Sequence, residues 1–125
     1  MPWLAVAAGG ALGAVARYAM AGLVQRAAGG AFPWGTLAVN VLGALSMGII
    51  VEGAARLWSM SPDLRLFLTT GVLGGFTTFS AFSLETALML EKGDWLPAMA
   101  YIAASVALTV LFLFCGMWAV RSLAG

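Results

Sequence analysis

Four long apolar runs constrain this chain more than any other feature, because about 20 apolar residues in a helix cross the hydrocarbon core of a bilayer. Paired glycines with Pro33, the turn Ser61-Pro62-Asp63 and the charged "EKGDW" separate the runs. The predicted spans are residues 3–26, 34–57, 63–90 and 95–121. The sequence therefore predicts an all-α membrane protein, with one four-helix transmembrane domain over residues 1–125 and no soluble domain.

Composition excludes several other classes of protein. Only 9% of the residues are charged and 62% are hydrophobic, whereas soluble domains carry about 25% charged residues. The net charge of +1, with no run of Lys or Arg, favours neither a nucleic-acid surface nor a polybasic lipid patch. A single cysteine and no histidine leave no disulfide framework and no nucleophile–base pair, so we do not expect an enzyme. The expected location is the plasma membrane, or the inner membrane if the source is Gram-negative.

The charges at the span ends barely favour one orientation in the membrane. Four spans place both termini on one side, with Arg56, Arg65 and Arg121, against Arg26 and Lys92 on the other. The positive-inside rule acts through such residues. Insertion in both orientations and insertion in one orientation remain open from charge alone.

Small residues recur four apart in three spans: Gly9 and Gly13, Ala44 and Gly48, and Gly71 and Gly75. Such pairs let helix backbones approach closely in a membrane. Asn40 lies about halfway along the second span, where its amide would either bond to another helix or serve an ion or substrate path. Both readings stay open.

The stretch "GGFTTFSAFSLE", residues 74–85, carries the most unusual chemistry. Its two glycines followed by Thr77 and Thr78 predict a break in the third helix, and carbonyls freed at membrane depth can hold a small cation. Phe79 and Phe82 then lie on one helix face. They are either packing residues or electropositive ring edges that face an anion.

Hydroxyls form a stripe on the fourth span, where Tyr101, Ser105 and Thr109 are spaced four apart. The serine and threonine either bond back to their own helix or line a polar path. One amide, several hydroxyls and two ring edges, with no charged side chain at that depth except Glu85, suit a small anion.

Three motifs in order resemble those of the small fluoride channels, the Fluc or CrcB family. They are "GGALGAVARY", "GTLAVNVLG" and "GVLGGFTTFSAFSLE", and the resemblance covers nearly the whole chain. It implies passive fluoride export through an antiparallel, dual-topology homodimer with two pores and a central structural sodium ion. One departure is Ala81, where the family usually has threonine.

The resemblance also implies roles for individual residues. Gly74 and Thr77 would give backbone carbonyls to sodium, and Arg17 would lie near an aqueous vestibule. Glu85 matches the family's acidic position but receives no transport role. The implied fluoride pore is lined by Asn40, Phe79, Ser80, Phe82, Tyr101, Ser105 and Thr109.

Two other functions compete with a fluoride channel. A small multidrug-type transporter would exchange protons for cations at one intramembrane carboxylate, such as Glu85, but such transporters place that acid in the first helix, which here holds Arg17. A non-transporting assembly subunit would explain the glycine packing and leave the hydroxyl stripe without a use.

Overall fold

The computed structural model describes residues 1–125, and every regular element in it is helical. The elements are α1 (Pro2–Ala28), α2 (Trp34–Arg56), α3 (Pro62–Leu66), a π-helical segment (Phe67–Leu73), α4 (Gly74–Phe76), α5 (Phe79–Glu91) and α6 (Trp95–Ala124). From α3 to α5 the chain forms a third long apolar helix, Pro62–Glu91. Four helices are thus long and apolar enough to cross a membrane, as the sequence predicts.

The third long helix is broken at Thr77 and Thr78, which confirms the predicted break. Both threonines have extended backbones, with ψ of 157° and 119°. Thr78 then caps α5, because its side chain accepts a hydrogen bond of 3.0 Å from the Ala81 N–H. The π-helical segment before the break is a feature that the sequence did not predict.

The helices pack as two parallel pairs. Glycines bring α1 against the π-helical segment, since a Cβ added at Gly9 or Gly13 would strike the carbonyl oxygen of Phe67 or Val72. In the second pair, a Cβ at Gly48 of α2 would strike the Leu113 carbonyl of α6. The predicted close packing of small residues is therefore present in both pairs.

The loop between α1 and α2 is organised by Gln25. Its side-chain amide donates to the Phe32 carbonyl at 2.9 Å and accepts from the Gly35 N–H at 3.0 Å. Gly29 and Gly30 take positive φ angles of 72° and 74°, which glycine adopts without strain. The loop fixes α2 antiparallel to α1 and turns Phe32 inward, 5.5 Å from the Tyr101 ring centroid.

The opposite end of the bundle carries ion pairs. The Met1 amine lies 2.8 Å from the Asp63 carboxylate, and Glu52 of α2 pairs with Arg56 and Arg121. Only 20 of the 125 residues are buried, and the core is small. Most apolar side chains therefore face outward, where lipid or another chain would cover them.

Candidate ion pathway

Asn40 holds the break in the third helix from α2. Its amide N–H donates to the Thr78 carbonyl at 3.1 Å, and its carbonyl oxygen accepts from the Thr78 N–H at 2.8 Å. An asparagine amide has two N–H donors. One of them is used by Thr78, so the interhelical bond is present and a second donor is left for another partner.

A cavity of about 370 Å³ opens beside this junction, between α2, the break and α6. No charged side chain lines it. Seven residues for which the family resemblance implies a role at a pore or metal site come together in its wall. They are Asn40, Gly74, Thr77, Phe79, Phe82, Ser105 and Thr109.

The two phenylalanines after the break differ in their environment. Phe79 is 78% exposed, whereas Phe82 is 9% exposed and packs against Tyr101 with ring centroids 5.0 Å apart. The two phenylalanine rings are tilted by 46° with centroids 5.4 Å apart. Neither ring is stacked flat on the other, so each can turn an edge toward the cavity.

Ser105 is the one hydroxyl in the cavity wall that lacks a partner. Its residue is 8% exposed, and its buried Oγ makes no hydrogen bond. Thr109, one turn later, donates instead to the Ser105 carbonyl at 2.6 Å, the back-bonding that its sequence position allows. Since buried polar groups are nearly always hydrogen-bonded, the Ser105 hydroxyl is a donor that is available to a further partner.

Tyr101 and Ser80 lie outside this cavity. Tyr101 is fully buried and donates its hydroxyl to Glu85 at 2.8 Å. Ser80 is exposed, with its Oγ 3.2 Å from the Thr78 Oγ. The structure therefore places Ser105 and Thr109 of the fourth-span stripe at the cavity, whereas Tyr101 lies away from it.

A second cavity of about 310 Å³ lies on the other side of the break, between α1, α2 and α5. Arg17 lines it and donates from Nε to the Gly75 carbonyl at 3.0 Å. Glu85 lines it too, and accepts a bond of 2.9 Å from the Thr36 hydroxyl as well as the one from Tyr101. Thr36 has no signal in the sequence, because no local pattern ties it to a carboxylate 49 positions later.

The break changes which carbonyl oxygens are hydrogen-bonded. Arg17 and Asn40 satisfy the carbonyls of Gly75 and Thr78, and the N–H of Thr77 donates to Leu73. The carbonyls of Gly74, Phe76 and Thr77 receive no side-chain bond and none of the backbone bonds outside the helices. Gly74 and Thr77 line the first cavity, and carbonyl oxygens freed at a helix break can hold a small cation.

These features define a multi-pass helical membrane protein in which a mostly apolar cavity with a few polar groups lies at a broken helix. Residues 4–117 match the family described as CrcB-like protein, Camphor Resistance (CrcB). The chain belongs to this family.

Curated relatives match it over nearly their whole length. A fluoride-specific ion channel FluC of Chelativorans sp. (strain BNC1) is 53% identical over 118 residues, which are 94% of each chain. The protein of that name from Geobacter sulfurreducens is 55% identical over 120 residues, 96% of this chain and 97% of the relative. The one from Rhodospirillum centenum is 51% identical over 119 residues, 95% of this chain and 94% of the relative.

Proposed function

We infer that this chain is a fluoride-selective ion channel that lets fluoride leave the cell passively. The FluC name of relatives about half identical over nearly the full length supports this function, and so does membership of the CrcB-like family. The protein is not an enzyme. Transport through it needs no chemistry beyond replacing the water around the ion.

One observation carries the proposal: the first cavity offers hydrogen-bond donors and no fixed charge. The second N–H of Asn40 and the unpartnered Ser105 hydroxyl are free to donate to an anion. Ring edges of Phe79 and Phe82 add a weak positive field. Donors of this kind replace the hydration shell of a small anion without holding it as tightly as a guanidinium would, which conduction requires.

The other pore residues would act at the edges of this path. Thr109 already donates its proton to a carbonyl, so it offers the ion a narrow polar wall rather than a donor. Tyr101 positions Phe82 by ring contact, and Ser80 extends the hydroxyl lining beyond Thr78. Arg17, on the second cavity, would attract anions toward a vestibule.

We further propose that two such chains pair as an antiparallel, dual-topology homodimer around a structural sodium ion. The carbonyls of Gly74 and Thr77 are candidates for this role, since neither receives a side-chain bond or a backbone bond outside the helices, and Gly74 is exposed at the surface of the single chain. Carbonyls from both subunits would meet on the two-fold axis. A bound cation there would raise the potential along both pores without touching fluoride.

The cation-transporter alternative loses its support with the family assignment. Its key group, Glu85, has both carboxylate oxygens engaged by the hydroxyls of Thr36 and Tyr101. The assembly-subunit alternative does not explain why Ser105, a residue of the cavity wall, keeps a buried hydroxyl without a partner.

Liposomes containing the purified protein test the proposal directly. A fluoride-selective electrode should show rapid release of loaded fluoride once a potassium ionophore supplies the balancing charge. Chloride-loaded liposomes should release far less, and a cationic dye should stay inside. Equal release of chloride and fluoride, or proton-driven movement of the dye, would contradict a fluoride channel.

A further inference from the structure

A three-residue charge cluster at one end of the bundle has no part in the cavity. Glu52 of α2 is 8% exposed at its side chain and accepts from two arginines, Arg56 of the same helix and Arg121 of α6. Both bonds end on the same carboxylate oxygen, and the one from Arg121 is 2.8 Å long. The carboxylate therefore holds two guanidinium groups side by side between two helices.

The guanidinium groups keep their outer edges free. Each arginine bonds to Glu52 through Nε, so the terminal amino groups make no hydrogen bond within the chain. The side chains of Arg56 and Arg121 are 50% and 41% exposed. Two positive charges and one negative charge leave the cluster with a net charge of +1.

The position of the cluster identifies what lies in front of it. Arg56 is the last residue of α2, and Arg121 lies in the last turn of α6. Trp58 and Trp118, at the same end of these helices, are 44% and 71% exposed. Tryptophans at the ends of membrane spans lie at headgroup level, which places the free guanidinium edges at the depth of lipid phosphates.

We propose that Glu52, Arg56 and Arg121 form a binding site for the phosphate of an anionic phospholipid. Basic pockets between transmembrane helices bind such headgroups, and guanidinium groups pair with phosphate oxygens through two parallel hydrogen bonds. A lipid with a net charge of −1 neutralises the cluster, whereas a zwitterionic lipid brings a positive group that the arginines repel.

The ends of α2 and α6 work against this binding, since the C-terminal end of a helix carries partial negative charge. That partial charge is located on the terminal backbone carbonyls, and solvent screens it at an exposed surface. The phosphate instead meets the amino groups directly, in charge-assisted bonds about twice as strong as neutral ones. The direct hydrogen bonds therefore outweigh the repulsion from the helix ends, and the net interaction with phosphate is favourable.

Native mass spectrometry of the purified full-length protein tests the site, with equal amounts of phosphatidylglycerol and phosphatidylcholine added in detergent. A net charge of +1 near a headgroup predicts about a fivefold excess of bound phosphatidylglycerol. In the triple variant Glu52→Gln, Arg56→Gln, Arg121→Gln, that ratio should fall to about one. Amides in all three places avoid a buried unpaired charge.

Two variants make the result specific. Arg121→Gln alone keeps the Glu52–Arg56 ion pair and brings the net charge of the cluster to zero, so it should also lose the preference for phosphatidylglycerol. This single variant provides the test if the triple variant does not fold. Arg26→Gln removes an exposed arginine at the other end of the bundle and should keep the parent's ratio. A preference that survives Arg121→Gln, or one that Arg26→Gln removes equally, would overturn the proposal.

Fluoride release separates this site from the ion path. In liposomes of phosphatidylcholine alone, Arg121→Gln should release fluoride at the parent's rate, because the cluster does not line the cavity. Slower release there, with the lipid preference unchanged, would assign the arginines to the ion path instead.

Discussion

Replacing Ser105 by alanine separates a structural hydroxyl from one that serves an ion. A hydroxyl buried without a partner costs about 1–3 kcal/mol relative to an apolar group in its place. Ser105 Oγ is buried and unpartnered, and the residue is 8% exposed. Ser105→Ala should therefore leave the free energy of unfolding unchanged or raise it by about 1 kcal/mol.

The same change should slow fluoride release. A hydrogen bond from a neutral donor to a charged group contributes about 1.5–3 kcal/mol. Each 1.4 kcal/mol added to a barrier lowers a rate about tenfold, so the loss of this donor should slow release roughly 10- to 100-fold. A purely structural serine predicts the opposite pair of results, a less stable protein with normal release.

Two measurements on the same preparation check this prediction. Thermal unfolding in detergent gives the stability, and a fluoride electrode follows release from liposomes with matched amounts of protein. Ser122→Ala is the control, because Ser122 is exposed near the end of α6 and makes no side-chain hydrogen bond. If Ser105→Ala releases fluoride as fast as Ser122→Ala, the hydroxyl does not serve the ion.

Three further changes test other parts of the structure. Phe82→Ile should keep the fold within about 1.5 kcal/mol and slow fluoride release at least about tenfold, since the ring edge is lost; normal release would make Phe82 a packing residue. Gly13→Ala should destabilise the protein by about 1–3 kcal/mol, because the new Cβ strikes the Val72 carbonyl. Gly10→Ala is the control and should be tolerated, because its Cβ meets no atom within 4 Å. Equal melting temperatures of the two variants would refute this packing. Two lysines added after Leu123 should fix one orientation in the membrane, as shown by reporters fused to the C-terminus, and should abolish fluoride release. A single orientation in the parent would contradict dual topology.

The features that the sequence predicts well are those with a local cause. Hydrophobic length gives the four spans, and the pair Thr77-Thr78 after two glycines gives the break, because extended threonines and a cap need only neighbouring residues. The depth of Asn40 follows from its place in the second span. Its bidentate bond to Thr78 does not, because that partner lies 38 positions away.

The features that the sequence misses depend on partners in other helices. Nothing in "FLTTGVL" marks a π-helical segment, which fits α1 because Gly9 and Gly13, four apart, contact the carbonyls of Phe67 and Val72, five apart. Tyr101 leaves the expected stripe for a similar reason. Spacing places three hydroxyls on one helix face, but Glu85 on α5 engages the first of them.

The parallel pairing of the helices has a consequence for how the chain is made. The first helix of each parallel pair has its main partner two spans later in the chain, since α1 packs against the third long helix and α2 packs against α6. Until then, Gly9 and Gly13 of α1 and Gly48 of α2 lack the backbone carbonyls against which they pack. A ribosome-bound chain that stops before α6 therefore leaves α2 without its partner and Glu52 without Arg121. We expect such nascent chains to depend on the insertion machinery, or on membrane quality control, until the last span enters the bilayer.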